Sequence, residues 1–342
     1  MSIKSYEEVI KHLKSQKRSK HLLIGNGFSM AYDPKIFSYN ALSKLVEDSD
    51  NDLLRKLFAV VNNRNFEQIM QQLTISKEII AAFDGDKRTI KKIEDASSAL
   101  KESLVDAVKS LHPEHVFKIP ESKSKVCASF LKDYLDNSGN IFSTNYDILL
   151  YWVLMRNELP NAIDGFGRDV EDQGEYVPKE DVILSELRWG NNKDTQNVFY
   201  LHGALPIFDD GIEIIKEEYD GDYILENIKK RMDNGNYPIF VTAGNGEEKL
   251  SHILHNHYLA FCYDKLCSIG GSLITFGFNF GQYDDHIIRA INEAASQGFD
   301  EKLWSVYIGI YSEDDIKHIE SIKKKFKCKV NMFDSKTVKL WA

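Results

Sequence analysis

The spacing of apolar positions changes period several times along the chain, and each change predicts an element. Tyr6, Val9, Ile10 and Leu13 fall on one face of a helix over about 5–18. Leu22, Leu23 and Ile24 then form an apolar run too short for a helix, stopped by Gly25-Asn26-Gly27, which reads as a buried strand turning sharply. A loop with Asp33-Pro34, Phe37 and Tyr39 follows. From about 41 to 112 the period is helical, with one glycine, Gly85, and no proline. Leu53, Leu54, Leu57, Phe58 and Val61 make one stripe; Phe66, Ile69, Met70 and Leu73 repeat it; Ile90, Ile93, Leu100, Leu104, Val105 and Val108 continue it to Pro113. Such a block is longer than one crossover between strands requires, and it predicts a helical insertion over 46–134.

After Pro120 a helix over about 122–136 leads to a second strand at Ile141-Phe142-Ser143, ending in Thr144-Asn145-Tyr146-Asp147. Ile148 to Met155 starts a buried helix, and 160–196 reads as polar loops with a short helix or hairpin. Asn197 to Leu201 is a third strand, closing on His202-Gly203. The acidic stretch 209–235 holds helix-like pieces, and Tyr237 to Thr242 is a strand ending at Ala243-Gly244-Asn245. A helix over about 250–267, a strand Ser272–Gly277, a helix Asp285–Ala295, and strands at Trp304–Ile310 and Lys329–Phe333 around an amphipathic helix complete the pattern. Strands alternating with helices predict an α/β fold with a doubly wound, mostly parallel, Rossmann-like sheet. The sheet-bearing domain is expected from 1–45 and 135–342. Ligands of such sheets sit outside the carboxyl ends of the strands. The clusters Gly25-Asn26-Gly27, Ser143-Thr144-Asn145, His202-Gly203, Gly244-Asn245 and Gly277-Phe278-Asn279 are therefore expected to converge.

Composition narrows the classes of function. With 342 residues, the chain is long enough for about two domains, and 43% apolar against 28% charged residues allows a sizeable core. A net charge of −9 argues against gripping nucleic-acid phosphates as the main task. Lys11, Lys14, Lys17, Arg18 and Lys20 read as a solvated basic face. The polar, acidic start is unlike a signal peptide, and the longest apolar run falls far short of the roughly 18 residues of a spanning helix. Cys127, Cys262, Cys267 and Cys328 form no C-x-x-C pair, which fits a reduced, cytoplasmic protein without a structural zinc or disulfide framework. His252, His255 and His257 are close in sequence but lack the H-E-x-x-H spacing, so no metal is expected.

The glycine turn admits two readings. A glycine pair at the end of a first strand lets the backbone approach a ligand, and a helix starting near Ser29 would favour a phosphate; a tight strand-to-helix turn without a ligand is the plain alternative. The dehydrogenase fingerprint G-x-G-x-x-G is broken by Met30, and Glu47 and Asp48 lie in a polar stretch without strand pattern, so hydride transfer is disfavoured. A structural histidine at 202 and a turn or helix cap at Asn145 are the plain alternatives.

Taken in order, Gly25-Asn26-Gly27-Phe28-Ser29, Ser143-Thr144-Asn145-Tyr146-Asp147, His202-Gly203, and Gly277-Phe278-Asn279-Phe280 with Asp284-Asp285-His286-Ile287 resemble the motifs of the SIR2-like (sirtuin-related) family. The resemblance covers about 20–45 and 137–310. It implies NAD as substrate along the sheet edge, with Asn145 positioning the ribose hydroxyls or the attacking water and His202 as general base. Gly25, Asn26, Gly27 and Ser29 would cradle the pyrophosphate, and Asp147 would hold the Asn145 loop or reach the nicotinamide side. Phe28, Thr144, Gly277, Asn279 and Asp284 would complete the cofactor contacts. Deacylating sirtuins carry two C-x-x-C pairs in a zinc module; their absence and the helical insertion match better the bacterial SIR2-like proteins of antiviral defence, which consume NAD outright.

The residues suit that chemistry. Cleaving the nicotinamide–ribose bond develops oxocarbenium character, as in glycoside hydrolysis, and nicotinamide leaves without a strong acid. The site must orient ribose and water and supply a base; a neutral amide and a neutral imidazole do so without added charge. The expectation is a regulated NAD hydrolase acting as an antiviral-defence effector, forming a homo-oligomer or answering to a companion protein from a neighbouring gene. A nucleotide or ADP-ribose sensor without turnover is the alternative, and lysine deacylation a weaker one.

Overall fold

The computed structural model describes residues 3–34, 56, 66–113, 115–168, 186–218, 223–234, 236–241, 245–299 and 302–342. Phe37, Tyr39, the stripe from Leu53 to Val61, and Thr242 to Gly244 lie outside the described residues. The molecule is built on a seven-stranded sheet in which every pairing is parallel. Its strands are β1 (Lys4–Ser5), β2 (Lys20–Ile24), β3 (Ile141–Ser143), β6 (Val198–Tyr200), β10 (Gly271–Phe276), β11 (Leu303–Ile310) and β12 (Lys329–Asp334). Their spatial order is β1-β12-β11-β10-β2-β3-β6. From β2 the chain winds outward through β3 to β6, then returns to β10 on the other side of β2 and winds outward through β11 to β12. The order reverses between β2 and β10, which is the crevice-forming position of a Rossmann-like sheet.

All five residues of β2 are buried, including Lys20. Lys20, read from sequence as part of a solvated face, instead bonds the Asp133 carboxylate and lies over the Tyr134 ring at 5.1 Å. A buried cation survives only with such a partner. Helix α1 (Tyr6–Ser15) opens with a capping box: Ser5 Oγ accepts from Glu8 N–H, and Glu8 Oε2 accepts from Ser5 N–H. It buries Val9 and Leu13, as its stripe predicts.

A second sheet, absent from the sequence reading, lies beyond β6. Its five strands are β4 (Phe166–Gly167), β5 (Leu187–Trp189), β7 (Gly203–Asp209), β8 (Ile214–Lys216) and β9 (Pro238–Phe240). They pair antiparallel in the order β4-β5-β8-β7-β9. The strand expected at 237–242 thus joins this sheet and not the parallel one, and part of the acidic stretch is strand before α7 (Ile224–Asp233).

Between β2 and β3 stand α2 (Gly27–Tyr32), α3 (Phe66–Ala82), α4 (Lys87–Leu111) and α5 (Glu121–Leu135). Helix α5, expected within the insertion, buries Cys127, Leu131 and Tyr134, and its Phe130 ring meets Phe276 of β10, so it belongs to the body of the sheet domain. The helix α6 (Leu149–Arg156) follows β3. The single helix expected over 250–267 is two, α8 (Gly246–His255) and α9 (His257–Cys267), broken at Asn256, whose side chain caps α9 by accepting from Leu259 N–H. Helix α10 spans Asp285–Ala295, as read from sequence, and α11 spans Glu313–Ile322.

Candidate functional site

Three loops at the carboxyl ends of β2, β3 and β10 pack on one another, and the loop after β6 touches the one after β3. At the reversal point, Gly25 N–H donates to Phe276 O (3.0 Å) and Gly27 N–H to Gly277 O (2.9 Å). A β-carbon on Gly25 would lie 2.7 Å from Gly277 O, and one on Gly27 only 2.5 Å from Gly277 Cα. The N–H groups of Phe28 and Ser29 turn back to Gly25 O and Asn26 O. These glycines therefore have a packing reason, close backbone contact, and four amides near the expected pyrophosphate cradle are committed to protein carbonyls. Asn26 is half-buried at the start of α2, and Phe28 is buried against Trp341, whose Nε1–H donates to Phe28 O at 3.1 Å.

The loop after β3 is tied to the same place. Thr144 donates to Ile24 O from both its backbone N–H (3.1 Å) and its hydroxyl (3.3 Å). Asn145 Nδ2 donates to Ser29 Oγ at 3.0 Å, and Ser29 Oγ donates to Asp147 Oδ2 at 2.5 Å. The other Asp147 oxygen accepts the Leu149 N–H that opens α6. Ser29 has a single hydroxyl hydrogen and an ionised carboxylate can only accept. The hydroxyl must therefore accept from Asn145, which fixes the amide: nitrogen towards Ser29, oxygen away. That oxygen, Asn145 Oδ1, is buried without a hydrogen-bond partner, in a residue 6% exposed. Leaving such an acceptor unpaired costs about 1–3 kcal/mol, an energy that a ligand hydroxyl would recover.

His202 occupies the junction between the two sheets. Its carbonyl accepts from Val241 N–H, and Gly203 turns the chain at φ +79°, where a β-carbon would collide with Ile239 O at 1.9 Å. The imidazole is buried, lies 6.2 Å from the Tyr146 ring, and places Nε2 2.8 Å from Nε2 of His286. Thr144, through its carbonyl, and Tyr146, through its ring, both act on His202, so Asn145 is flanked by two residues that meet the imidazole. Burial holds the His202 pKa well below its usual value, with His286 and Lys249 pushing the same way against the Thr144 carbonyl. Burial and Lys249 lower His286 to about 3 despite the Tyr283 carbonyl. Both rings are neutral at pH 7.

Lys249, on α8, is wholly buried and faces Asp284 Oδ1 at 3.4 Å; Asp284 Oδ2 accepts from Gly281 N–H at 3.0 Å. Asp284 thus holds a turn and a cation at the start of α10. Gly277, at φ +65°, meets the first loop, whereas Asn279 is exposed and stands outside the buried group. Of the expected Gly244-Asn245 cluster, Asn245 caps α8 by accepting from Glu247 and Glu248 N–H.

The family model for a domain of unknown function, DUF4917, matches residues 22–341. The chain belongs to the DUF4917 family. No curated protein matches it. The DUF4917 match runs from within β2 to Trp341, so it takes in all four loops and the tryptophan that packs on α2. One residue of this DUF4917 site, Lys249, escaped the sequence reading as a site member. His286 lies in the Asp284-Asp285-His286-Ile287 motif read from sequence, but nothing there pairs it with His202. Lys249 follows two glutamates on an amphipathic helix, and nothing in its neighbours marks it as buried. Among the described residues of the DUF4917 chain, no group of three or more His, Cys, Asp or Glu side chains is arranged to hold a metal ion, and no helix is long and apolar enough to cross a membrane.

Proposed function

We propose that the chain hydrolyses NAD at the nicotinamide–ribose bond. The observation that carries this reading is Asn145: an amide locked by Ser29 and Asp147, with a buried, unpartnered Oδ1, beside the loops at the sheet's reversal point. Oδ1 accepts a hydrogen from a ribose hydroxyl or from the attacking water. Water bonds to the ribose carbon, the C–N electron pair leaves with nicotinamide, and the water proton passes to His202. Because the Gly25, Gly27, Phe28 and Ser29 amides are engaged, the glycine loop contributes by packing on Gly277 and holding Ser29 against Asn145. Asp147 serves Ser29 and α6. A role as a defence effector, controlled by self-association or by a companion protein, belongs to the same proposal.

The test is chromatography of NAD incubated with the purified protein, alone and with the product of the neighbouring gene. Nicotinamide should accumulate, and Asn145→Ala and His202→Ala should each slow it about 10²–10⁴-fold. Cleavage that survives both substitutions removes the assignment. One observation favours a second reading, binding without turnover: His202 is so deeply buried that it is a weak base. Calorimetry that shows NAD or ADP-ribose binding with no nicotinamide released would select it.

A further inference from the structure

We propose that His112 is a positioning residue for Asn145: its imidazole accepts the Ile148 N–H, and through that bond it holds the loop from which the amide projects. The inference rests on the reading of Asn145 as the group that orients the ribose or the attacking water.

His112 stands directly after α4 and is buried, as are Asn145, Asp147 and Ile148. The Ile148 N–H reaches Nε2 of the His112 ring at 3.2 Å, from 36 residues away in the chain. A backbone N–H can only donate, so Nε2 carries the lone pair and the ring is neutral, with its hydrogen on Nδ1. The donor itself therefore fixes the direction of this bond. The ring also stands edge-on to Trp152 of α6, at 5.8 Å and 84°.

The bond holds the start of α6. A helix leaves its first N–H groups without acceptors of its own. Ile148, the residue before α6, gives its N–H to His112, and Leu149, the first helical residue, gives its N–H to Asp147 Oδ1 at 2.9 Å. The other Asp147 oxygen takes the Ser29 hydroxyl, which in turn takes Asn145 Nδ2. Asn145, Asp147 and Ile148 lie within four consecutive residues, so the amide is fixed from two sides, by Ser29 directly and by His112 through the backbone. Without the imidazole, the Ile148 N–H would be an unpaired donor in a residue with 0% exposure, and the loop would shift to find it an acceptor. The chain that follows α4 also grips the far end of α6. Arg156 donates to Val116 O at 3.1 Å and to Ile119 O, and Asn157 donates to Ser124 Oγ at 2.8 Å. His112 thus ties the long helix α4 to the site.

The experiment compares His112→Gln, whose side-chain oxygen keeps an acceptor near the place of Nε2, with His112→Phe, whose ring keeps the contact with Trp152 and has no acceptor. NMR of the ¹⁵N-labelled full chain follows exchange of the Ile148 amide and the Asn145 side-chain amide signal, identified by its loss in Asn145→Asp. In the wild type the Ile148 amide should be among the slow ones. In His112→Phe it should exchange about 3–10-fold faster, and the Asn145 signal should move; in His112→Gln both should stay near the wild type. In the NAD assay, kcat of His112→Phe should fall by up to about 10²-fold at nearly unchanged KM, and His112→Gln should restore most of it. A wild-type Ile148 amide that exchanges as fast as an exposed one overturns the proposal, and this measurement needs no variant to fold. An Asn145 signal unmoved in His112→Phe overturns it as well, as do equal losses in kcat for the two variants. A wild type that cleaves no NAD ends the hydrolase reading instead, and the Asn145 signal still decides whether His112 positions that amide.

Discussion

Gly27 and Gly277 meet backbone to backbone across the reversal point of the sheet, with Gly27 N–H donating to Gly277 O at 2.9 Å and no space for a β-carbon on either residue. Gly277 is also in the left-handed region at φ +65°. Gly277→Ala should therefore cost more than the roughly 1–3 kcal/mol of backbone strain alone. Gly211→Ala is the control, since Gly211 has φ +90° but nothing within 4 Å. Urea unfolding of both variants checks this; equal losses would contradict the close contact.

Ser29→Ala removes the hydroxyl that joins Asn145 to Asp147. The buried amide and carboxylate then each lose a partner, and the expected loss is about 1–3 kcal/mol. Asn145 also becomes free to rotate, so NAD cleavage should fall with it. Unfolding curves and the chromatographic assay read the two effects separately.

Stability should decline as pH falls below neutrality. Burial lowers His21 to about 4 and His286 to about 3, and holds His202 well down. Below about 6.5 the unfolded chain protonates these rings while the folded chain does not, so the unfolded state binds more protons and gains. Their contribution is whole above about pH 6.5 and is lost toward the folded pKa values, each ring adding at most about 1.4 kcal/mol per pH unit. Urea unfolding at pH 7.5, 6 and 5 should show the fall, and His286→Gln should make it shallower. Stability constant from pH 7 to 5 would show that the rings protonate in the folded chain.

Trp341→Ala should loosen α2. The indole packs on Phe28 and Tyr32 at 5.3 and 5.1 Å and donates to Phe28 O. A buried tryptophan truncated to alanine costs about 3–5 kcal/mol, and the helix it holds carries Ser29. Thermal unfolding checks the loss of stability. Calorimetry checks whether nucleotide affinity falls with it.

The parallel sheet was legible, β1 (Lys4–Ser5) apart, because its other strands are short apolar runs ended by glycine or polar clusters, a pattern with local causes. Helix α10 was legible residue for residue, since its apolar stripe begins at a turn and ends at a polar stretch. The second sheet was not. Strand β8 has three residues, and β7 contains Pro206 and begins at Gly203 of the His202-Gly203 cluster. Antiparallel partners of that length are chosen by what packs on them, and local composition carries little of it. In the same way Lys20 and Lys249 look like solvent-facing cations until Asp133 and Asp284, 113 and 35 residues away, are brought against them.

By itself the sequence determined the order of the parallel strands from β2 to β12, the sharp turn after β2, and the polar clusters at the strand ends, because period and turn chemistry act between neighbours. Only the tertiary structure decided that the strand order reverses between β2 and β10, that Gly25 and Gly27 serve a backbone contact with Gly277, and that Ser29 locks Asn145. It alone paired His202 with His286. Those relationships join residues far apart in the chain, and they are set by burial, where an unpaired polar group is costly and each donor must find its acceptor.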